Sequence, residues 1–173
     1  MNPTKKMPLF IITGASGVGK STISEKLFEQ EKKYIVLESD ILWDERYNTP
    51  EDDYREYREL WLRLCNNVSQ IGLPVVLCGC AVPKQFENCI ERRFFSEIHY
   101  VAIVSDEETL VSRMRDGRKL QDEDWIQGSV DFNQWLKENA GKTEPPMHIF
   151  DYLNISVEEA AKKIDTWICE RID

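Results

Sequence analysis

Short apolar runs alternate with amphipathic stretches along the whole chain. Residues 9–13 (LFIIT) form a compact apolar run that stops at Gly14, the pattern of a strand buried on both faces. Residues 21–30 follow as a helix, with Ile23 and Leu27 one turn apart. Residues 34–37 predict a second strand, which ends in the polar run Glu38-Ser39-Asp40. The next helix is marked by Thr49 as its cap and Pro50 at the first helical position. Glu51, Asp52 and Asp53 suit the positive end of its dipole. Its apolar stripe reads Tyr54, Tyr57, Trp61, Leu64, Val68, Ile71, in steps of three and four, and Gly72 and Pro74 end it.

Residues 74–78 give a third strand, and Pro83 opens a helix carrying Phe86, Cys89 and Ile90. Residues 99–104 give a fourth strand; Ser105 with Glu108 reads as a capping box for a helix carrying Leu110, Val111 and Met114. Residues 147–150 give a fifth. Ser156 with Glu159 forms a second box ahead of a helix bearing Val157, Ala160, Ala161, Ile164, Ile168 and Ile172. Five strands separated by helices predict an α/β fold, a parallel sheet covered on both faces, in one domain over residues 1–173. One segment departs from this scheme. Residues 116–142 carry Gly117, Gly128, Gly141, many charges and three large aromatics (Trp125, Phe132, Trp135), which predicts an inserted helical pair or a mobile lid.

Composition narrows the function. The 173 residues, 42% hydrophobic, fill one sizeable core, and the net charge of -9 argues against sequence-independent nucleic-acid binding, which rests on neutralising phosphates. Cys65, Cys78, Cys80, Cys89 and Cys169 show no CxxC spacing and no histidine to complete a zinc set, so they read as reduced, buried thiols. Behind Lys5 and Lys6 the apolar stretch 9–12 is too short for a signal peptide or a membrane span. The expectation is a cytoplasmic protein, monomer or homodimer, without nucleic-acid or membrane partners.

The chemistry is carried by Gly14-Ala15-Ser16-Gly17-Val18-Gly19-Lys20-Ser21, a GxxxxGK[ST] sequence placed between a strand and a helix. Its glycines let backbone N–H groups curl around phosphate oxygens, and the helix that follows aims its positive end at the same place. Lys20 reaches the β- and γ-phosphates, Ser21 is the expected Mg²⁺ ligand, and Thr22 continues the cradle.

With this motif, its length and the charged insertion before the last strand, the chain resembles the small P-loop kinases, a superfamily that includes nucleoside, nucleotide, gluconate and shikimate kinases. The resemblance implies a five-stranded parallel sheet, ATP with Mg²⁺, a small-molecule phosphoryl acceptor and an arginine-bearing lid. It assigns Asp40 the role of accepting the proton of the acceptor hydroxyl, or of orienting that hydroxyl, with Glu38 as substitute or second magnesium-shell ligand. An extended chain there would point both carboxylates the same way. Arg115 and Arg118, which can share a helix face, are the candidate lid arginines that neutralise the transferring group, with Arg113 roughly opposite Arg115. Trp43, Arg46 and Tyr47, ahead of the helix, are candidates for binding the acceptor, whose expected form is nucleoside-like; a nucleoside monophosphate or sugar acid is the alternative. The third strand ends Cys78-Gly79-Cys80-Ala81, without the acidic residue that many P-loop proteins use to hold magnesium. No NKxD, DxxG or LSGGQ-type signature is present, and an AAA+ module is expected to need more chain. The rival reading is a P-loop ATPase, or a nucleotide-binding regulatory or toxin-like protein, without a small acceptor.

Overall fold

The structure, a computed structural model, describes residues 5–30 and 33–172; residues 1–4, where the reading of a leader begins, lie outside them. Five strands form one parallel sheet in the order β2-β3-β1-β4-β5: β1 (Leu9–Thr13), β2 (Ile35–Glu38), β3 (Val75–Cys78), β4 (Ile98–Val104) and β5 (His148–Asp151). The apolar run of β1 takes the centre because every one of its residues is buried, and it pairs with β3 (Leu9 beside Val75) and with β4 (Leu9 beside Ile98). The chain lays β2 and β3 on one side of β1 and β4 and β5 on the other, so a crevice opens beyond its carboxyl end, where an open α/β sheet binds its ligands.

Two apolar clusters cover the sheet. On one face α1 (Lys20–Glu29), α4 (Glu107–Ser112) and α6 (Val157–Ile172) bury Ile23, Leu27, Leu110 and Ile164 against Phe10, Ile12 and Ile103. On the other, α2 (Arg55–Ser69) and α3 (Pro83–Glu87) bury Tyr57, Trp61, Leu62 and Phe86 against Leu9, Ile11 and Leu77. No helix among the described residues is long and apolar enough to cross a membrane.

The segment 116–142 contains one long helix, α5 (Glu123–Asn139), rather than a helical pair. It straddles the sheet. Ile126 joins the first apolar cluster, Leu136 joins the second, and Phe132 packs against both. A buried amide fixes its middle: Asn133 Oδ1 accepts from the Ser105 N–H (3.1 Å) and Asn133 Nδ2 donates to the Ser105 carbonyl (2.8 Å) at the end of β4.

Several element boundaries differ from those the sequence predicts. Thr49 and Pro50 do not open α2. Residues Pro50–Asp52 form a 3-10 turn, Asp53 and Tyr54 take left-handed backbone (φ 61° and 58°), and the helix begins at Arg55, whose N–H is accepted by Asp52 (3.2 Å). The buried stripe of α2 is rotated accordingly, taking in Arg58, Leu62 and Cys65, while Ile71 is 69% exposed. Ile90 is likewise outside α3 and exposed. Ser105 does not cap α4, because its backbone belongs to Asn133; Asp106 does, accepting from Thr109 N–H at 2.8 Å. Ser156 does cap α6, through the Glu159 N–H.

Asn133→Ala leaves two buried backbone groups unpaired at about 1–3 kcal/mol each, so unfolding stability should fall by roughly 2–6 kcal/mol in urea titration. A loss below about 0.5 kcal/mol would show that water or a rearranged α5 satisfies Ser105 instead.

Candidate functional site

Residues 14–19 turn from the end of β1 into α1. Gly19 takes φ 108° immediately before the helix, and a Cβ there would be strained and would approach the Tyr152 ring at 3.1 Å. The turn allows α1 to begin at Lys20, so Lys20, Ser21 and Thr22 occupy its first turn. The Lys20 ammonium donates to the carbonyls of Gly14 (2.7 Å) and Ala15 (2.9 Å), and no carboxylate among the described residues lies within ion-pair distance of it. A cation held only by neutral oxygens beside a helix N-terminus is suited to an incoming anion.

Next to this loop lies a cleft of about 590 Å³, lined by Ser16, Asp40, Trp43, Arg58, Arg118 and Trp125 among others. Its floor is the end of β3. Thr13 Oγ1 donates to the Ala81 carbonyl (2.6 Å) and accepts from the Ala81 N–H (2.9 Å), fixing this segment beside β1. A Cβ on Gly79 would collide with the Ser39 hydroxyl, so glycine is what lets the turn after β2 close over β3. Tyr57 ties the same turn down by donating its hydroxyl to the Ser39 carbonyl. Cys80, at the place where an acidic residue would be sought, points its Sγ at the Gly14 carbonyl (3.1 Å). No group of three or more His, Cys, Asp or Glu among the described residues is placed to hold a metal ion. Metal binding here would therefore lean on the Ser21 hydroxyl and on oxygens brought by a ligand.

The residues singled out from the sequence divide. Asp40, Trp43 and Arg118 line the cleft. Glu38 and Asp40 do not share a direction, because the chain leaves the extended form at Ser39–Leu42, a 3-10 turn; Glu38 lines a separate hollow with Ser24 and Glu25. Arg46 is exposed, paired with Asp44 (3.3 Å) and stacked over Tyr47 (5.1 Å), and neither Arg46 nor Tyr47 lines the cleft. Arg115 pairs with Glu123 at the start of α5 (2.7 Å). Arg113 sits at the start of a widened turn, Arg113–Gly117. It reaches the cradle instead, donating to the Val18 carbonyl (3.1 Å) and lying over the Tyr152 ring (5.0 Å).

Arg58 was not legible as a site residue. It lies in α2, only 6% exposed, with one guanidinium N–H donated to the Cys80 carbonyl (2.8 Å) and its plane against the rings of Tyr54, Tyr57 and Phe86. Its Nε is buried and has no hydrogen-bond partner. Burial lowers its pKa, yet a guanidinium stays charged, so the cleft contains a buried cation with no carboxylate bonded to it. The one signal in the sequence is a charged residue beside the Tyr57–Trp61 stripe, which reads equally well as a solvated flank. Trp125 was also missed: α5 brings its indole N–H to the Ser16 hydroxyl at 3.4 Å.

A family model described as an AAA domain matches residues 11–131, from within β1 to the middle of α5. This corrects the exclusion made on length, since that model fits within the chain. No curated protein matches. Among solved structures, a gluconokinase from Sinorhizobium meliloti aligns over 96% of this chain and 94% of its own, with 17% identity and a TM-score of 0.65. A tunicamycin resistance protein from Deinococcus radiodurans aligns over 94% and 95%, with 16% identity and a TM-score of 0.65. A shikimate kinase from Acinetobacter baumannii, in complex with shikimate, aligns over 96% of each chain at 19% identity and a TM-score of 0.61. The chain thus has the P-loop α/β fold that these proteins share, as the sequence pattern predicts.

Burial pushes the thiols of Cys65, Cys78 and Cys89 up to about 12. At pH 8 their thiolate fraction is on the order of 10⁻⁴, so iodoacetamide should leave them unmodified while it alkylates the half-exposed Cys80 of the cleft. Peptide mass spectrometry reads this directly, and modification of Cys78 ahead of Cys80 would contradict the placement.

Proposed function

The chain belongs to the AAA domain family, and on that premise we propose that it is a P-loop kinase that moves the γ-phosphoryl group of ATP to a hydroxyl of a small, nucleoside-like molecule. The observation that carries this reading is the single cleft that runs from Ser16 of the phosphate cradle to Asp40 and Arg58. A cleft beside the cradle, continuous with it at Ser16, gives an acceptor room within reach of the phosphates. The names of the neighbouring gluconokinase and shikimate kinase agree with a hydroxyl acceptor.

Each residue then has a role. Gly14 to Gly19 cradle the phosphates and Lys20 leaves its carbonyl partners to neutralise them. Ser21, in the first turn of α1, would hold Mg²⁺, which supplies charge neutralisation on the phosphate oxygens. Asp40 takes the proton of the acceptor hydroxyl as its oxygen bonds to the γ-phosphorus and the bond from that phosphorus to the ADP oxygen breaks. Arg118, in the cleft wall, and Arg115, just ahead of the 116–142 insertion and paired with Glu123, serve the charge that spreads over the transferring group. The stretch 116–122, ahead of the pinned helix α5, acts as the lid that carries Arg118.

For the acceptor, Trp43 offers a ring face within the cleft, which supports a flat ring. Arg58 adds a guanidinium in the cleft wall with no carboxylate bonded to it, which favours a singly charged compound over a neutral one. The same observation supports the second reading, a sugar acid or nucleoside monophosphate.

Asp40→Asn keeps shape and should leave ATP affinity within a few-fold while the rate of acceptor phosphorylation falls roughly 100-fold. An unchanged rate would remove Asp40 from the chemistry. Lys20→Ala should lose useful Mg·ATP binding with the fold intact, measured by calorimetry and circular dichroism; unchanged affinity would end the reading of the cradle.

A further inference from the structure

Two tryptophans with much of their surface exposed share this cleft and come from different parts of the fold. Trp43, 43% exposed, follows the turn after β2; its ring is held edge-on by Tyr57 (5.3 Å, 89°) and Tyr54 (6.2 Å, 62°). Trp125, 54% exposed, stands in the first turn of α5 with its indole N–H on the Ser16 hydroxyl (3.4 Å). Seven residues on, two helical turns along the same side of α5, Phe132 lines the same cleft and is stacked on Trp135 (6.3 Å, 15°). The wall they form is fixed, because Asn133, the neighbour of Phe132, is bound at both ends of its amide to Ser105. Three rings that converge on one cleft make a contiguous apolar surface, and it is such patches, not singly exposed rings, that mark ligand-binding grooves.

We infer that Trp125 contacts the acceptor and determines its class: with Trp43 it takes the flat, apolar part of a ring-bearing hydroxyl compound. The inference rests on reading the cleft as the acceptor pocket. Trp125 is seated on the cradle through Ser16, so a ring pressed against it lies a fixed distance from the phosphates, and its hydroxyl is carried toward Asp40. Ring-free polyols would gain Asp40 and Arg58 but leave both indoles bare. Selection thus comes from the α5 wall as well as from the turn after β2.

The test uses two matched pairs of probes on the whole chain with Mg·ADP bound: uridine against ribose, and 3-phenyllactate against lactate. Binding is read by calorimetry for the wild-type chain, Trp125→Ala and Trp125→Phe. In at least one pair the ring-bearing member should bind about tenfold or more tightly than its ring-free partner, as one ring contact of this size gives. Trp125→Ala should remove that preference while ADP affinity stays within about threefold, and Trp125→Phe should restore most of it. Equal affinity within both pairs, no measurable binding of any of the four, or a preference that survives Trp125→Ala overturns the inference. Failure of the kinase reading looks different: the ring preference and its loss in Trp125→Ala would persist in a protein that transfers phosphate to no acceptor.

Discussion

Lys20 stands at the end of the central strand with only the carbonyls of Gly14 and Ala15 bonded to its ammonium, and much of the molecule serves to hold that charge open to an anion. An exposed lysine is ordinarily free to find a carboxylate, and this chain is rich in them, with 31 Asp and Glu against 22 Lys and Arg. The fold keeps them away. β1 is buried throughout and points the cradle into the crevice, and the strand beside it ends in Gly79, Cys80 and Ala81, where no side chain carries a negative charge. Thr13 and Cys80 fasten that neutral segment to β1, so the neutrality is built into the packing of the sheet.

The second cation, Arg58, follows the same logic from deeper inside. Burial disfavours its charge, and stacking on Tyr54, Tyr57 and Phe86 with one bond to the Cys80 carbonyl offsets only part of that cost. Asp40 lines the same cleft as Arg58, on a short turn that Tyr57 and Gly79 hold close to the sheet. On the proposed reading, this carboxylate and guanidinium, with the rings of Trp43 and Trp125 in the same cleft, receive an acceptor that brings its own charge and surface. The opposite wall depends on α5, which crosses from one apolar cluster to the other and is pinned to β4 by Asn133.

What was legible in the sequence was what local pattern determines. β1, the cradle and α6 declare themselves within a dozen residues each, through an apolar run, fixed glycine spacing, or a 3.6-residue stripe with a serine cap. What was not legible depends on contacts across the chain. Arg58 is buried because the carbonyl it binds comes from 22 positions away, and Ser105 fails as a cap because an amide 28 positions away claims its backbone. The start of α2 was misplaced because Asp53 and Tyr54 adopt left-handed backbone in succession, which a Tyr side chain does not advertise. Glu38 and Asp40 part company for a related reason: a 3-10 turn replaces the extended chain on which their shared direction depended.

On the proposed reading, the cleft receives a phosphoryl acceptor rather than serving a nucleotide alone. ADP release by the wild-type chain in Mg·ATP, followed with and without a panel of nucleosides, nucleoside monophosphates, sugar acids and aminoglycoside-like hydroxyl compounds, measures this most directly. The expected result is slow release without acceptor and a rise of at least about tenfold with one class, accompanied by a phosphorylated product of matching amount. Steady ADP release that no acceptor accelerates would contradict it.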